Sequence, residues 1–146
     1  MRVLGIDYGD RNVGLALSDP LLITAQPHGT YKLTGRHEED RRFFQDLISR
    51  WDIQEIVIGD PLRMDGSSGT RAEKTRQFAA WLREAVQKPV FFLDERLTTR
   101  EALHLLQGQN FRGAKKKRWE DQVAAVIILS TYLERRHGDP HAPQSR

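Results

Sequence analysis

Val3-Leu4-Gly5-Ile6-Asp7-Tyr8-Gly9 is the stretch of sequence that decides the fold. Its short apolar run predicts a buried strand over Val3–Asp7, and this strand ends in a carboxylate. Gly9 follows at once and lacks a side chain, so a phosphate could come close to the backbone there. A strand end is where a sheet protein presents reactive groups. Asp7 is therefore a candidate functional residue if other acids of the chain lie at the same edge of the sheet.

The residues that follow predict a meander of three strands. Asn12–Ser18 alternates between apolar and polar residues, and the short link containing Gly9-Asp10 predicts an antiparallel hairpin. Ile23–Leu33 can supply the third strand, in which Pro27 indicates a bend or an edge.

Downstream the pattern alternates between helix and strand. An apolar i, i+3, i+4, i+7 spacing predicts helices, and runs rich in valine and isoleucine predict buried parallel strands. The predicted segments are a helix over 37–51, a strand over 53–59, a helix around 78–85, a buried strand over 90–93, a short helix over 98–107 that opens with a capping box, a basic loop over 109–118 and a largely buried helix over 119–136. A meander followed by alternating strands and helices predicts an α/β fold, in which a mixed sheet carries helices on its faces.

Length and composition describe one domain without a membrane segment. The 146 residues suit a single domain over 1–136, followed by a flexible polar tail over 137–146. We see neither a signal peptide nor an apolar run long enough to span a bilayer. The chain has no cysteine, which excludes disulfides and thiolate metal sites and fits a cytoplasmic protein.

The formal net charge is only +3, but the cations are concentrated. Arg112 and the run Lys115-Lys116-Lys117-Arg118 put five cations within seven residues. Such a cluster predicts a polyanionic partner, and a solvated loop is the alternative.

Carboxylates recur where predicted strands end. Asp60 and the pair Asp94-Glu95 follow parallel strands, and Asp121 lies in the predicted first turn of the last helix. The carboxyl ends of parallel strands share one edge of a sheet, and open α/β sheets bind ligands there. Each acid also has a structural alternative, namely a turn cap for Asp7, a turn before proline for Asp60, a strand end for Asp94, a surface ion pair for Glu95 and a helix-dipole contact for Asp121.

A cluster of acids needs a cation, because the carboxylates repel one another. Oxygen ligands suit Mg²⁺ or Mn²⁺. Zinc is disfavoured, because the five histidines lack ligand spacing with a third partner.

Several motifs together resemble the YqgF/RuvX family over about residues 1–135. They are Gly5-Ile6-Asp7-Tyr8-Gly9, Asn12-Val13-Gly14, Pro61-Leu62-Arg63-Met64-Asp65-Gly66, Asp94-Glu95-Arg96-Leu97-Thr98-Thr99 and Asp121-Gln122-Val123-Ala124-Ala125. The family comprises nucleases that are similar to Holliday junction resolvases and are linked to pre-16S rRNA processing.

The resemblance implies an RNase H-like five-stranded sheet of order 3-2-1-4-5, with strands 1 to 3 antiparallel and strands 4 and 5 parallel. It implies catalytic, metal-binding acids at Asp7, Glu95 and Asp121, which would hold two Mg²⁺ or Mn²⁺ ions. The implied activity is hydrolysis of phosphodiester bonds in DNA or RNA, in rRNA processing or in recombination and repair.

Two positions depart from the family pattern. An apolar residue usually stands where this chain has Asp60, and asparagine usually stands at Arg63. In RNase H-like folds the fourth strand can carry a metal ligand at its tip. We therefore hypothesise that Asp60 is a fourth metal ligand and that Arg63 contacts a phosphate.

The remaining predicted contacts to nucleic acid are basic. Arg11, Arg63 and Arg96 lie in loops at the acidic edge, and the cluster from Arg112 to Arg118 directly precedes the helix that bears Asp121. Trp119 could stack on an unpaired base or pack as the first apolar residue of its helix.

Two other functions stay open at this point. A non-catalytic nucleic-acid-binding factor of ribosome assembly would use the basic cluster and leave the acids unexplained. A nucleotide-binding enzyme of the sugar-kinase type would need a second lobe that 146 residues do not supply. The sequence leaves open the choice between DNA and RNA, and whether the chain works as a homodimer on junctions or on ribosomal precursor particles.

Overall fold

The computed structural model describes residues 1–60, 70–94 and 113–138, with side chains in the last range from Arg118 to His137. These residues form five strands and three helices. In chain order the elements are β1 (Arg2–Tyr8), β2 (Asn12–Ser18), β3 (Ala25–Lys32), α1 (His37–Arg50), β4 (Ile53–Asp60), α2 (Thr70–Val86), β5 (Val90–Asp94) and α3 (Gly113–Gly138).

The strands make one mixed sheet in the order β3-β2-β1-β4-β5. β1 pairs with β2 and β2 with β3 in antiparallel fashion, whereas β4 lies parallel to both β1 and β5. The predicted order, meander and parallel strands are confirmed. The hairpin between β1 and β2 closes through the Gly9 amide, which donates to the Asn12 carbonyl at 3.0 Å. A Cβ on Gly9 would lie 2.7 Å from that oxygen, so the turn itself requires this glycine.

Alternation along the strands divides the core into two layers. Leu4 and Ile6 of β1 pack with Phe44 of α1 and Phe78 of α2. Val3 points to the other face, where α3 supplies Leu129 and other apolar residues. Helices therefore cover both faces, with α1 and α2 on one side and α3 on the other. We call these the α1/α2 face and the α3 face.

Some predicted boundaries are wrong. α3 begins at Gly113, so residues 113–118 are helical and do not form a loop, and Asp121 lies well inside the helix. α3 also continues to Gly138, two residues into the predicted tail. β5 exists as predicted but is a partly open edge strand, with Phe92 44% exposed. The predicted short helix over 98–107 lies outside the described residues.

None of the helices in the described ranges is both long and apolar enough to span a bilayer.

Candidate active site

Asp7 lies near the carboxyl end of β1, on the α3 face of the sheet. Its position follows from alternation, because Val3 packs in the α3 layer while Leu4 and Ile6 pack in the other. The side chain is buried, with 9% of its surface exposed. A carboxylate removed from water in this way loses hydration, so it needs compensating contacts or a cation.

Gly14 brings a second acid next to Asp7. It is the direct partner of Asp7 across the β1–β2 hairpin. A Cβ on Gly14 would collide with the backbone oxygen of Asp121 and lie 3.0 Å from its Cβ, so α3 rests directly on this glycine. Opposed residues in antiparallel strands hold their Cβ atoms about 5 Å apart, which puts the Cβ atoms of Asp7 and Asp121 within about 8 Å of each other.

Asp121 is itself buried, with 6% of its surface exposed. Gly5, two residues before Asp7, allows the same close approach one turn further along α3. Its Cβ would lie 2.7 Å from the Cβ of Leu129 and 3.0 Å from the Ala125 carbonyl oxygen. The helix that carries Asp121 is therefore fixed against the sheet by backbone contact at two glycines.

Asp121 lines an open groove of about 590 Å³ at the edge of the sheet, and Asp7 directly precedes Tyr8, which also lines it. Asp121 and the β1–β2 turn line one side, and the first turns of α2 line the other. The groove contains three cations: Arg11, Arg71 and Lys74. Arg71 donates to the Tyr8 carbonyl at 3.4 Å, and Lys74 lies 3.6 Å from Asp10. Cations thus line the same groove as Asp121, an arrangement that suits an anionic ligand held through a metal ion.

The family model described as RuvX, Holliday junction resolvase, matches residues 1–135. The chain belongs to the RuvX family. The resemblance drawn from the motifs is therefore confirmed.

Relatives of this RuvX chain share much of its sequence. A protein of Halothermothrix orenii is 44% identical over 133 residues, which cover 91% of this chain and 94% of the relative. A protein of Koribacter versatilis is 41% identical over 144 residues, covering 99% and 94% respectively. Both carry the name "Putative pre-16S rRNA nuclease".

Two solved resolvases share this fold. RuvC of Thermus thermophilus in complex with a Holliday junction substrate superposes with a TM-score of 0.57 at 17% identity, covering 94% of this chain and 96% of RuvC. The yeast mitochondrial Holliday junction resolvase superposes with a TM-score of 0.51 at 12% identity, covering 90% and 77%. At these identities the likeness concerns the fold, and it confirms the RNase H-like architecture.

Other RuvX site residues inferred from the sequence fall outside the described ranges. Glu95, Arg63, Arg96 and Arg112 are among them, and so are the side chains of Lys115, Lys116 and Lys117. Within the described residues, no three or more His, Asp or Glu side chains are grouped so that they could hold a metal. The proposed third ligand, Glu95, lies outside those residues.

Asp60 forms an ion pair with Arg76 of α2. It ends β4 beside Asp94, its partner on β5. Ile56 and Ile58 pack on the α1/α2 face, so alternation assigns Asp60 to that face, opposite Asp7. Its Oδ1 lies 3.5 Å from Nη2 of Arg76 on α2, and its side chain is 16% exposed. This ion pair compensates the Asp60 charge without a metal, and the role of Asp60 as a ligand stays a prediction.

The dipole interpretation of Asp121 is wrong, because the acid lies well beyond the first turn of α3. Trp119 is half-buried on the same helix. Arg118 is exposed, and its carbonyl accepts a hydrogen bond from Oγ1 of Thr30 at 3.2 Å. This contact fixes the basic start of α3 near the end of β3, on the same edge of the sheet as Asp7.

Sequence reasoning missed two cations of the groove, Arg71 and Lys74. Both lie near the start of α2, where cations are unfavourable to the helix dipole. Cations at the start of a helix suggest that an anion binds nearby, so the positions of these two residues could have indicated the groove from the sequence. Tyr8, which also lines the groove, has its pKa raised by burial and by the charge of Asp10.

Proposed function

We propose that this protein is a divalent-metal-dependent nuclease that hydrolyses phosphodiester bonds in nucleic acid. The observation that carries the proposal is the pairing of two buried acids, Asp7 and Asp121, across Gly14 beside a groove that contains three cations. Two buried carboxylates this near each other repel, and a cation between them would offset the repulsion. The family and the names of the relatives agree with nuclease activity.

The donor set fits Mg²⁺ or Mn²⁺, because the described donors at the site are carboxylate oxygens. Asp7, Glu95 and Asp121 would hold the metal, two ions per site by family resemblance. Two divalent metal ions bound there would act as Lewis acids, which would activate a water molecule and stabilise the leaving oxygen.

The side chains around the acids would hold and orient the substrate. Arg11, Arg71 and Lys74 provide cations for the phosphates on either side of the scissile bond. The run from Lys115 to Arg118 lies near the start of α3, with no acid in the first turn. Cations there oppose the helix dipole, and a phosphate backbone would relieve that cost. Arg63, Arg96 and Arg112 are proposed contacts of the same kind.

The substrate class we propose is structured or single-stranded nucleic acid. Precursor 16S rRNA is the first candidate, because the relatives are named for it. DNA junctions in recombination or repair are the second, and they would require a homodimer with two active sites. If the substrate is precursor 16S rRNA, we expect the protein to act in the cytoplasm on ribosomal precursor particles.

Substitution Asp7→Asn tests the active site. The variant should lose Mn²⁺-dependent cleavage while keeping nucleic-acid binding, because it removes a metal ligand and reduces repulsion of phosphate. Cleavage is measured on junction, duplex and single-stranded substrates of DNA and RNA, and binding is measured on the same panel without metal. Asp46→Asn is the matched control, since Asp46 is an exposed acid on α1 that does not line the groove. Normal cleavage by Asp7→Asn would remove this active-site assignment.

Asp60→Leu tests the hypothesis of a fourth ligand. If Asp60 binds metal, the variant should need a higher Mn²⁺ concentration for half-maximal cleavage. If the Arg76 ion pair is its whole role, Mn²⁺ dependence should stay unchanged. Arg76→Leu is the matched control, because it breaks the same pair while leaving the carboxylate. Equal Mn²⁺ titrations for the parent and both variants would exclude Asp60 from the metal site.

The basic start of α3 would also serve a ribosome-assembly factor without catalysis. Such a factor has no use for paired buried acids, so a Mn²⁺ titration separates the two functions. Tight Mn²⁺ binding that Asp7→Asn weakens supports the nuclease, and its absence supports the assembly factor.

A further inference from the structure

A second cavity, of about 600 Å³, adjoins the groove on the α1/α2 face. One wall is aromatic and consists of Tyr8, Phe78 and Trp81. The ring centroids of Tyr8 and Phe78 are 4.6 Å apart, and those of Phe78 and Trp81 are 5.8 Å apart. Tyr8 and Trp81 are half-buried, so each residue keeps some accessible surface.

The same cavity carries cations at its rim. Arg11, Lys32 and Lys74 line it, and all three are exposed. Asp10 lies 3.6 Å from Lys74, but an exposed pair of this kind is weak and leaves the lysine available to a stronger anion.

The buried acid of the cavity is already engaged. Asp40 accepts hydrogen bonds from the Tyr31 hydroxyl at 2.7 Å and from the amide and hydroxyl of Thr34 at 3.1 and 2.9 Å. Its carboxylate therefore holds the β3–α1 connection together. The cations at the rim are left to attract an anion from outside.

The cavity and the groove are continuous. Both are lined by Tyr8, Asp10, Arg11 and Lys74. A phosphate held by Arg11 and Lys74 would have the acids on one side and the aromatic wall on the other. A nucleotide combines the two matching parts, an anionic phosphate and a flat base.

The geometry points to a pocket for one unpaired nucleotide of the substrate strand. Its base stacks on the aromatic wall, chiefly on Trp81 and Tyr8, while Arg11 and Lys74 hold its phosphate. Stacking of this kind tolerates any base. The pocket therefore distinguishes unpaired from paired nucleotides and does not select a base sequence. A paired base enters only by leaving its stack, which costs free energy. This inference rests on the proposed nuclease function and specifies its substrate as a strand with an unpaired nucleotide beside the cleaved bond.

The test is direct binding without metal, so that it does not depend on cleavage. The probe is an oligonucleotide with 2-aminopurine at one position, either single-stranded or paired in a duplex, in buffer containing EDTA. The fluorescence of 2-aminopurine should fall on binding of the single strand, because the base stacks on protein rings, and should change little for the duplex. Trp81→Leu should lower affinity for the single strand by about 5- to 100-fold. The control Trp51→Leu removes a half-buried tryptophan outside the cavity and should bind like the parent.

A second variant covers the case in which Trp81→Leu fails to fold. Gln77 is exposed and lines the cavity, so Gln77→Glu adds a negative charge there without disturbing the core. It should weaken single-strand binding several-fold. Ala80→Glu adds the same charge at an exposed position of α2 outside the cavity lining and should not.

The outcomes separate the pocket from the nuclease. If Gln77→Glu and every folded Trp81 variant bind the single strand like the parent, the pocket is excluded, even where Asp7→Asn abolishes cleavage. If Asp7→Asn cleaves normally, the nuclease proposal fails whatever the pocket does. Equal 2-aminopurine quenching in single strand and duplex would also overturn the pocket, because the duplex base is already stacked.

Discussion

The two faces of the sheet are held by different means. On the α3 face, one helix touches the sheet backbone at Gly5 and Gly14, and a buried polar cluster fixes its far end. On the α1/α2 face, aromatic rings fill the space between helices and sheet, with Phe44 fully buried among them. Side-chain packing adapts to small changes, whereas contact between backbones does not. The paired acids lie on the face that cannot adapt.

The largest effect is expected for Gly14→Ala. The new Cβ would collide with the Asp121 carbonyl, so α3 must shift and carry the acid with it. We expect cleavage to fall by about 100-fold or more, because misplacement by about 1 Å has that effect. The free energy of unfolding should fall by about 3 kcal/mol or more, measured by urea denaturation.

Gly29→Ala is the matched control for that variant. Gly29 has φ +102° but open space around it, and it lines neither the groove nor the second cavity, so alanine there costs about 1 kcal/mol and should leave cleavage unchanged. Cleavage by Gly14→Ala at the parental rate would mean that the approach of α3 does not set the position of the acid.

An intermediate effect is expected at the other end of α3. Glu55 is buried and accepts hydrogen bonds from the Tyr132 hydroxyl at 2.9 Å and from Arg136 at 3.0 Å. Burial and the hydrogen bond to Glu55 raise the pKa of Tyr132. Arg136→Met leaves the Glu55 charge without its cation and should lower the free energy of unfolding by about 3 kcal/mol.

Arg135→Met is the control, because Arg135 is exposed on the same helix turn. Below its melting temperature Arg136→Met should still cleave, since the acids lie at the opposite end of α3. Equal stability of the two variants would show that the ion pair does not anchor the helix.

The smallest effect concerns pH and the α1/α2 face. His28 packs edge-on against Trp51, with ring centroids 5.2 Å apart, and burial lowers its pKa below the ordinary 6.5. The unfolded chain then binds the proton more readily than the folded one. Stability contributed by His28 is present above pH 6.5 and is lost as the pH falls from there towards the lowered folded pKa.

His28→Gln should remove this loss. Melting temperatures of parent and variant, measured from pH 8 to pH 5, should differ by a constant amount above about pH 6.5 and converge or cross below it. A constant difference over the whole range would show that His28 does not titrate on unfolding.

The strands and their order could be predicted because each strand has a local pattern. The run before Asp7 and the alternation after Asn12 are sufficient for the hairpin, and the family motifs supplied the sheet order. The start of α3 was missed because residues 113–118 lack apolar periodicity, although Ala, Lys and Arg are good helix formers. Periodicity reports which face of a helix is buried, so it is silent where a helix projects beyond the core.

The partners of the acids could not be predicted in the same way. That Asp60 meets Arg76 depends on the rotation of α2 against the sheet, which no local pattern encodes. Gly14 was readable as a close approach, since glycine inside a strand marks one. Which helix residue lies over it depends on how α3 docks as a whole. The acids of the site could thus be proposed from the sequence. Of the three cations in the groove, the sequence indicated Arg11 but not Arg71 or Lys74.

The contact between Gly14 and Asp121 also has an evolutionary consequence. Position 14 admits no side chain while the helix keeps its present docking, and the acid keeps its place only while position 14 stays empty. A lineage that loses the acid no longer needs this docking of α3, and position 14 can accept a side chain once the helix has moved; one that fills position 14 must redock α3. The two positions, 107 residues apart in the chain, should therefore drift together, so that a relative with a larger residue at one is expected to have abandoned the carboxylate at the other.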